Sequence, residues 1–248
     1  MDKIGRLTNL IIDLSRETDR TKTLTLDRTF LAEVSCSDIA LAQQNAIASG
    51  LDATALWRLW NSNRELLPDI AAKLSSELPE NHVLQRVLAE HAMILCFIAD
   101  LDQVTNQIVQ MNSASSVSLE VRQLAHISEH LLYADQHARR EDEVIFPELQ
   151  RRGYNDLLKF ISQQHGQIGA HHQSLNDLVW RIDSMNFDEF KTQLAKIADY
   201  IIVAMRLHIF IENNIVFPLA VKVINDPKLW QRIKTISDHL GYCAYDAK

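Results

Sequence analysis

Cysteine, glycine and proline are all scarce in this chain, at 3, 6 and 5 of 248 residues. The three cysteines (Cys36, Cys96, Cys243) form no Cys-x-x-Cys pair and no disulfide framework, which fits a reducing cytoplasm and argues against a stapled secreted scaffold. So little glycine and proline argues against a turn-rich β fold and favours long helices. No apolar run approaches the ~20 residues of a membrane span. The opening MDKIGRLTNLIIDLSRET turns polar after a short apolar stretch and lacks a small-residue cleavage site, so no signal peptide is expected. Basic residues come in short pairs such as Arg139-Arg140 and Arg151-Arg152, and the formal charge is −7, so no nucleic-acid partner is expected.

Against that background one phrase occurs twice. Residues 137–149 read HARREDEVIFPEL and residues 208–220 read HIFIENNIVFPLA. Both follow His-x-x-x-Glu, two residues, two aliphatics and Phe-Pro, matching His137 with His208, Glu141 with Glu212, Phe146 with Phe217 and Pro147 with Pro218. On an α-helix, residues four apart stack on one face about 5–6 Å apart. Each imidazole and carboxylate can therefore close on one cation. A further histidine precedes each copy, His91 in AEHAMI and His165 in QQHGQI, 46 and 43 residues upstream. Such a gap is one long helix, a turn and most of a second helix at ~1.5 Å rise per residue. The order predicts two helix hairpins, each with one histidine on its first helix and a His/Glu pair on its second. Packed face to face they make an all-α, up-down-up-down four-helix bundle whose half-sites converge on a two-metal centre.

A single His-x-x-x-Glu is an ordinary exposed helix-stabilising pair, and a lone histidine is more often packed or solvent-facing than a ligand. Duplication is what makes His91, His137, Glu141, His165, His208 and Glu212 a candidate metal set. Around His208 the helix is strongly apolar, and an unpaired Glu212 would be costly to bury there. Four imidazoles and two carboxylates without thiolate disfavour copper(I) and structural cysteine-zinc sites and suit iron, then manganese. Two metals sharing six protein ligands leave positions for a bridging oxygen and an exogenous molecule. His126 and His130 continue the stripe of His137, as outer donors or an access route. His172 falls near the ligand face. Tyr133 reads either as a hydrogen-bond partner of a bound species or as a buried tyrosine at the core edge. His82 and His239 read as structural or surface residues.

Residues 1–76 read as a small helical module without a metal-type cluster. Helical spacing recurs in Ile4–Leu14 and Phe30–Val34. Ser37 or Asp38 is placed to cap a helix ending at Gly50, and Asp52 opens another carrying Leu56, Trp60 and Leu67 on one face. The polar stretch 75–83 links this module to a bundle at 80–226, with helices near 83–111, 117–151, 155–184 and 187–224. A break at Asn225-Asp226-Pro227 leaves a short helix and tail over 227–248. Each Phe-Pro is expected to kink or end its helix about two and a half turns past the histidine.

From about 80 to 225 the chain resembles the hemerythrin-like (HHE cation-binding) family: HARREDEVIFPEL is similar to its hallmark and LHIFIENNIVFPLA to the second occurrence. Through VSCSDIALAQQNAIASGLDATALWRLWNSNRELL and LPENHVLQRVLAEHAMIL, the N-terminal part resembles the helical domain of uncharacterised function that often precedes such domains. The resemblance implies a non-heme di-iron centre of two iron ions. His91, His137, His165 and His208 would be its imidazole ligands, and Glu141 and Glu212 its bridging carboxylates. The family's oxygen carriers place a further histidine where this chain has Gly169, and an aspartate where it has Asn213. The chain looks more like the di-iron proteins linked to nitric oxide stress and iron–sulfur cluster repair, without the paired N-terminal cysteines of many of those. Three functions follow. One is binding or sensing oxygen, nitric oxide or peroxide, with the N-terminal module as a surface for a redox or signalling partner. Another is a nitric oxide or peroxide reductase or a cluster-repair protein. The third is an interaction module whose histidines are incidental.

Overall fold

The computed structural model describes residues 2–16, 30, 33–62 and 71–243, and every regular element among them is helical. Helices α1 (Lys3–Arg16), α2 (Cys36–Ala48), α3 (Ala53–Ser62) and α4 (Ala71–Glu77) precede the long α5 (Val83–Val109). Then come α6 (Leu119–Arg140), a π-turn at Glu141–Ile145, α7 (Phe146–Gln150) and α8 (Asn155–Trp180). Next are α9 (Phe187–Ile211), a second π-turn at Glu212–Val216, α10 (Phe217–Val223) and α11 (Pro227–Leu240). Helix α5 packs on α6 and α9, and α8 packs on the same two. The result is the expected four-helix bundle, two hairpins side by side. No helix among the described residues is long and apolar enough to cross a membrane.

Local chemistry sets the helix ends. Ser35, not Ser37 or Asp38, caps α2: its hydroxyl accepts from the Asp38 N–H at 3.3 Å, and the Asp38 carboxylate accepts from the Ser35 N–H at 2.8 Å. Asp38 belongs to the third helical position of this reciprocal box, which displaces the cap backwards from where Asp38 alone suggests it. Asp52 opens α3 as expected, accepting from the Ala55 N–H at 2.7 Å. Gly50 and Gly153, at φ +93° and +97°, turn the chain after α2 and α7 in a conformation glycine adopts without penalty. Leu56 and Trp60 are buried together. Leu67 and residues 31–32 of the 30–34 stretch lie outside the described residues.

The Phe-Pro dipeptides do not end their helices. In each copy the helix widens at the motif glutamate, where the Phe N–H donates to the carbonyl five residues back, Phe146 to Glu141 and Phe217 to Glu212. It then resumes as α-helix with proline in its first turn. Proline has no N–H, and its ring crowds the carbonyl four residues earlier. A wider turn ahead of it relieves that crowding. The disturbance therefore begins at the glutamate, one turn after the histidine, rather than at the proline.

Buried apolar residues form two clusters with the histidines and glutamates between them. One joins α1–α4 and α11 to the Phe-Pro end of the bundle and holds Phe146, Phe217 and Trp60. The other fills the far end with Ile94, Ile98, Phe190 and Ile201 among its members. Gln44 of α2 ties the first cluster's outer layer to the bundle. Its Oε1 accepts from the Asp156 and Leu157 N–H groups at 2.8 and 3.0 Å, and its Nε2 donates to Asp156 Oδ2 at 2.6 Å. Two of the four unpaired donors at the start of α8 are thus satisfied from another helix. Gln44→Leu keeps the bulk and removes these bonds, so it should cost about 1–2 kcal/mol, read as a lower urea midpoint with unchanged slope.

Candidate metal centre

Each His/Glu pair of the repeat shares one helix face, with His137 Nε2 3.2 Å from Glu141 Oε1 and His208 Nε2 3.1 Å from Glu212 Oε1. Both carboxylates are fully buried and reach across to the other hairpin. Glu141 Oε2 lies 3.3 Å from His165 Nε2, and Glu212 Oε2 lies 3.3 Å from His91 Nε2. Each carboxylate therefore offers one oxygen to the pair His91/His137 and the other to His165/His208. Two sets of four donors result, both containing Glu141 and Glu212, with the donor atoms of each set within 4.8 Å of one another. Metal–donor bonds of about 2.1 Å put neighbouring donors about 3 Å apart and opposite ones about 4.2 Å apart. Each set has the dimensions of a single-cation site, and the six residues singled out in the sequence all meet in this layer.

The outward nitrogen of every ring is held by a neighbour to which the sequence reading gave no such role. His91 Nδ1 pairs with Asn213 Oδ1 at 2.7 Å, and His165 Nδ1 with Asp142 Oδ2 at 2.9 Å. His137 Nδ1 pairs with Glu90 Oε2 at 2.8 Å, and His208 Nδ1 with Gln164 Oε1 at 3.1 Å. Each partner is an acceptor, so each Nδ1–H donates and each Nε2 lone pair points inward. The repeat extends to these partners: Glu90 and Gln164 precede the first histidines, and Asp142 and Asn213 follow the motif glutamates. Two successive residues of one hairpin thus grip both nitrogens of a ring on the other. Comparing the residues that adjoin the ligands in the two copies would have revealed all four. Arg140 and Cys243 gave no such signal. Buried Arg140 pairs with Glu90 and donates to the Gly241 carbonyl at 2.7 Å, while the Cys243 N–H donates to Glu90 Oε1 at 2.8 Å. Burial pushes the Cys243 thiol up to about 12, so it is protonated at neutral pH.

The charge balance calls for a cation. All four oxygens of Glu141 and Glu212 are buried with no hydrogen-bond partner. The inward nitrogens of His91 and His137 stand 2.7 Å apart, and two lone pairs at that separation need a positive charge between them. Burial works against a charged ring at His137, yet Glu141 and Glu90 outweigh it and push its pKa up to about 9. Burial likewise opposes ionisation at His165, yet Asp142, Glu141 and Glu212 hold it well above its ordinary value. Burial would raise both motif carboxyls, with Glu212 adding to this at Glu141, but the facing imidazoles hold them below the usual carboxylate range. Protons on the rings or metal ions can supply the missing charge, and ligation by neutral rings couples metal uptake to proton release.

Phe146 stacks on His165 and Phe217 on His91, at centroid separations of 5.8 and 5.5 Å, closing the layer on the Phe-Pro side. On the opposite side a cavity of about 20 Å³ touches all four histidines and His172. The other singled-out residues lie elsewhere. His130 stacks on Phe97 and contacts His126, because the stripe of His137 follows the seam between α5 and α6. Tyr133 is 42% exposed, neither at the centre nor buried, because the position three before His137, Ala134, is the one that faces inward. His82 caps α5 and packs on Trp230.

The family model described as the hemerythrin HHE cation binding domain matches residues 82–220. None of the curated proteins compared matches the chain.

Glu90→Gln should take the anionic partner from His137 and leave Arg140 buried without a counter-charge. Metal retention should weaken about 10–100-fold at that half, and the fold should lose about 3 kcal/mol. Gln164→Leu, at the matching place, strands no charge and should leave the urea midpoint closer to the parent's. Metal titration by calorimetry and urea melts check both.

Proposed function

The chain belongs to the hemerythrin HHE cation-binding family, and on that premise we propose that it is a non-heme di-iron protein that binds or senses oxygen, nitric oxide or peroxide. The observation that carries this reading is the sharing of two fully buried carboxylates between two imidazole pairs. His91 and His137 would hold one ion, His165 and His208 the other, and Glu141 and Glu212 would bridge them. Nitrogen and oxygen donors without thiolate suit iron, and manganese or zinc less well. Iron bound there would supply electron exchange with a small ligand.

The chain's own residues do the rest. Glu90, Asp142, Gln164 and Asn213 keep the rings aimed inward, which orients the four imidazole donors before an ion arrives. Phe146 and Phe217 exclude water from one side. The cavity on the other side admits one water-sized or diatomic body and so selects by size.

The test is iron per chain in protein purified without a histidine tag, with spectra of the reduced form before and after nitric oxide or oxygen. Two irons with near-ultraviolet charge-transfer absorption are expected. Substoichiometric iron after anaerobic reconstitution would overturn the reading, and sustained turnover of nitric oxide with a reductant would make the protein a reductase. Glu141→Ala and His208→Ala should each lose at least one iron and melt several degrees lower than the loaded parent, because metal binding stabilises the fold. Unchanged iron content and melting in both would count against these ligands.

A further inference from the structure

The walls of the cavity follow the internal repeat. Ile94 matches Ile168, Ala134 matches Met205, and Ala138 matches Ile209. Two wall residues break the pattern, Asp135 and His172, whose counterparts Arg206 and Ile98 are not in the wall. His172 is 1% exposed, and neither of its ring nitrogens has a hydrogen-bond partner. A buried polar group left unpaired costs free energy and calls for an explanation. Packing does not supply one, because an isoleucine fills the matching place in the other hairpin. Asp135 Oδ1 is 4.0 Å from His172 Nδ1, beyond direct hydrogen bonding. Asp135 fits there because residue 169 is glycine: a Cβ would lie 3.0 Å from that oxygen. Burial, with the charge of His171, pushes the His172 pKa down to about 4. Its ring is therefore neutral near pH 7 and keeps one N–H to donate.

We infer that His172 is the ligand-contacting residue of the centre: its ring N–H donates a hydrogen bond to the small molecule that enters the cavity, fixing its orientation and slowing its escape. The inference rests on the di-iron reading of the site. It assigns the chain an asymmetric pocket, with a buried polar contact beyond the metal layer on the α8 side and its counterpart position, Ile98, outside the wall. Asp135 at the mouth, with its side chain 59% exposed, keeps the entrance polar.

Nitric oxide added to the reduced, iron-loaded full chain is the probe. His172→Leu removes the donor, and His172→Gln replaces it with an amide N–H. The leucine variant should release nitric oxide about 3–10-fold faster. Its N–O stretch should also lose the shift that the parent shows in heavy water. The glutamine variant should stay within about twofold of the parent and keep that shift. Parental release and a parental heavy-water shift in the leucine variant would overturn the inference. Loss of iron from either variant would do the same, since His172 would then serve the metal or the fold. A parent chain that takes up no iron overturns the di-iron reading and this inference with it, whereas one that takes up two irons but no nitric oxide overturns this inference alone. An effect confined to the variants bears on His172 alone.

Discussion

Two carboxylates buried without hydrogen bonds are the constraint on which the rest of the structure depends. Glu141 and Glu212 sit between two apolar clusters, closed off from bulk solvent and without a backbone N–H to pair with. Such charges are tolerated only when opposite charge is held close. Four histidines converge on them, four further polar side chains hold those histidines, and the aromatic rings of the Phe-Pro dipeptides seal the layer. Each outer feature follows from the need to keep positive charge, protonic or metallic, against two buried anions.

The two halves meet this need by the same geometry and different chemistry. In the first, the ring of His137 rests on an anion, Glu90, which buried Arg140 balances. In the second, the ring of His208 rests on the neutral Gln164, and the place of Arg140 is taken by Ile211. Acid and base were exchanged together, so neither half carries a stranded charge. Among the described residues, the strap at Gly241–Cys243 attaches to the charged pair itself. The first half thus draws on the C-terminal segment, whereas the second π-turn is covered by α2.

Much of this was legible in the sequence because it repeats. The spacing of His91, His137, His165 and His208 gave the hairpins, and the bundle follows from them. Helix limits came within a few residues wherever a cap, a glycine or Asp226-Pro227 marked them. The π-turns escaped notice because the visible signal, proline, lies six residues after the residue where the helix widens. Tyr133 was misplaced because positions three and four before His137 differ by about 100° around the axis, and spacing alone did not choose between them. Cys243 escaped because its role depends on where the tail folds back, a long-range contact without a local pattern.

Because neither ion set can be completed by one hairpin, the first cation to arrive would clamp the two hairpins together. It would fix both carboxylates in doing so. The second set would then find its two oxygens already immobilised, and the ordering entropy would not be spent again. Loading should therefore be cooperative, with singly filled chains rare at half saturation and the pair of ions behaving thermodynamically as one.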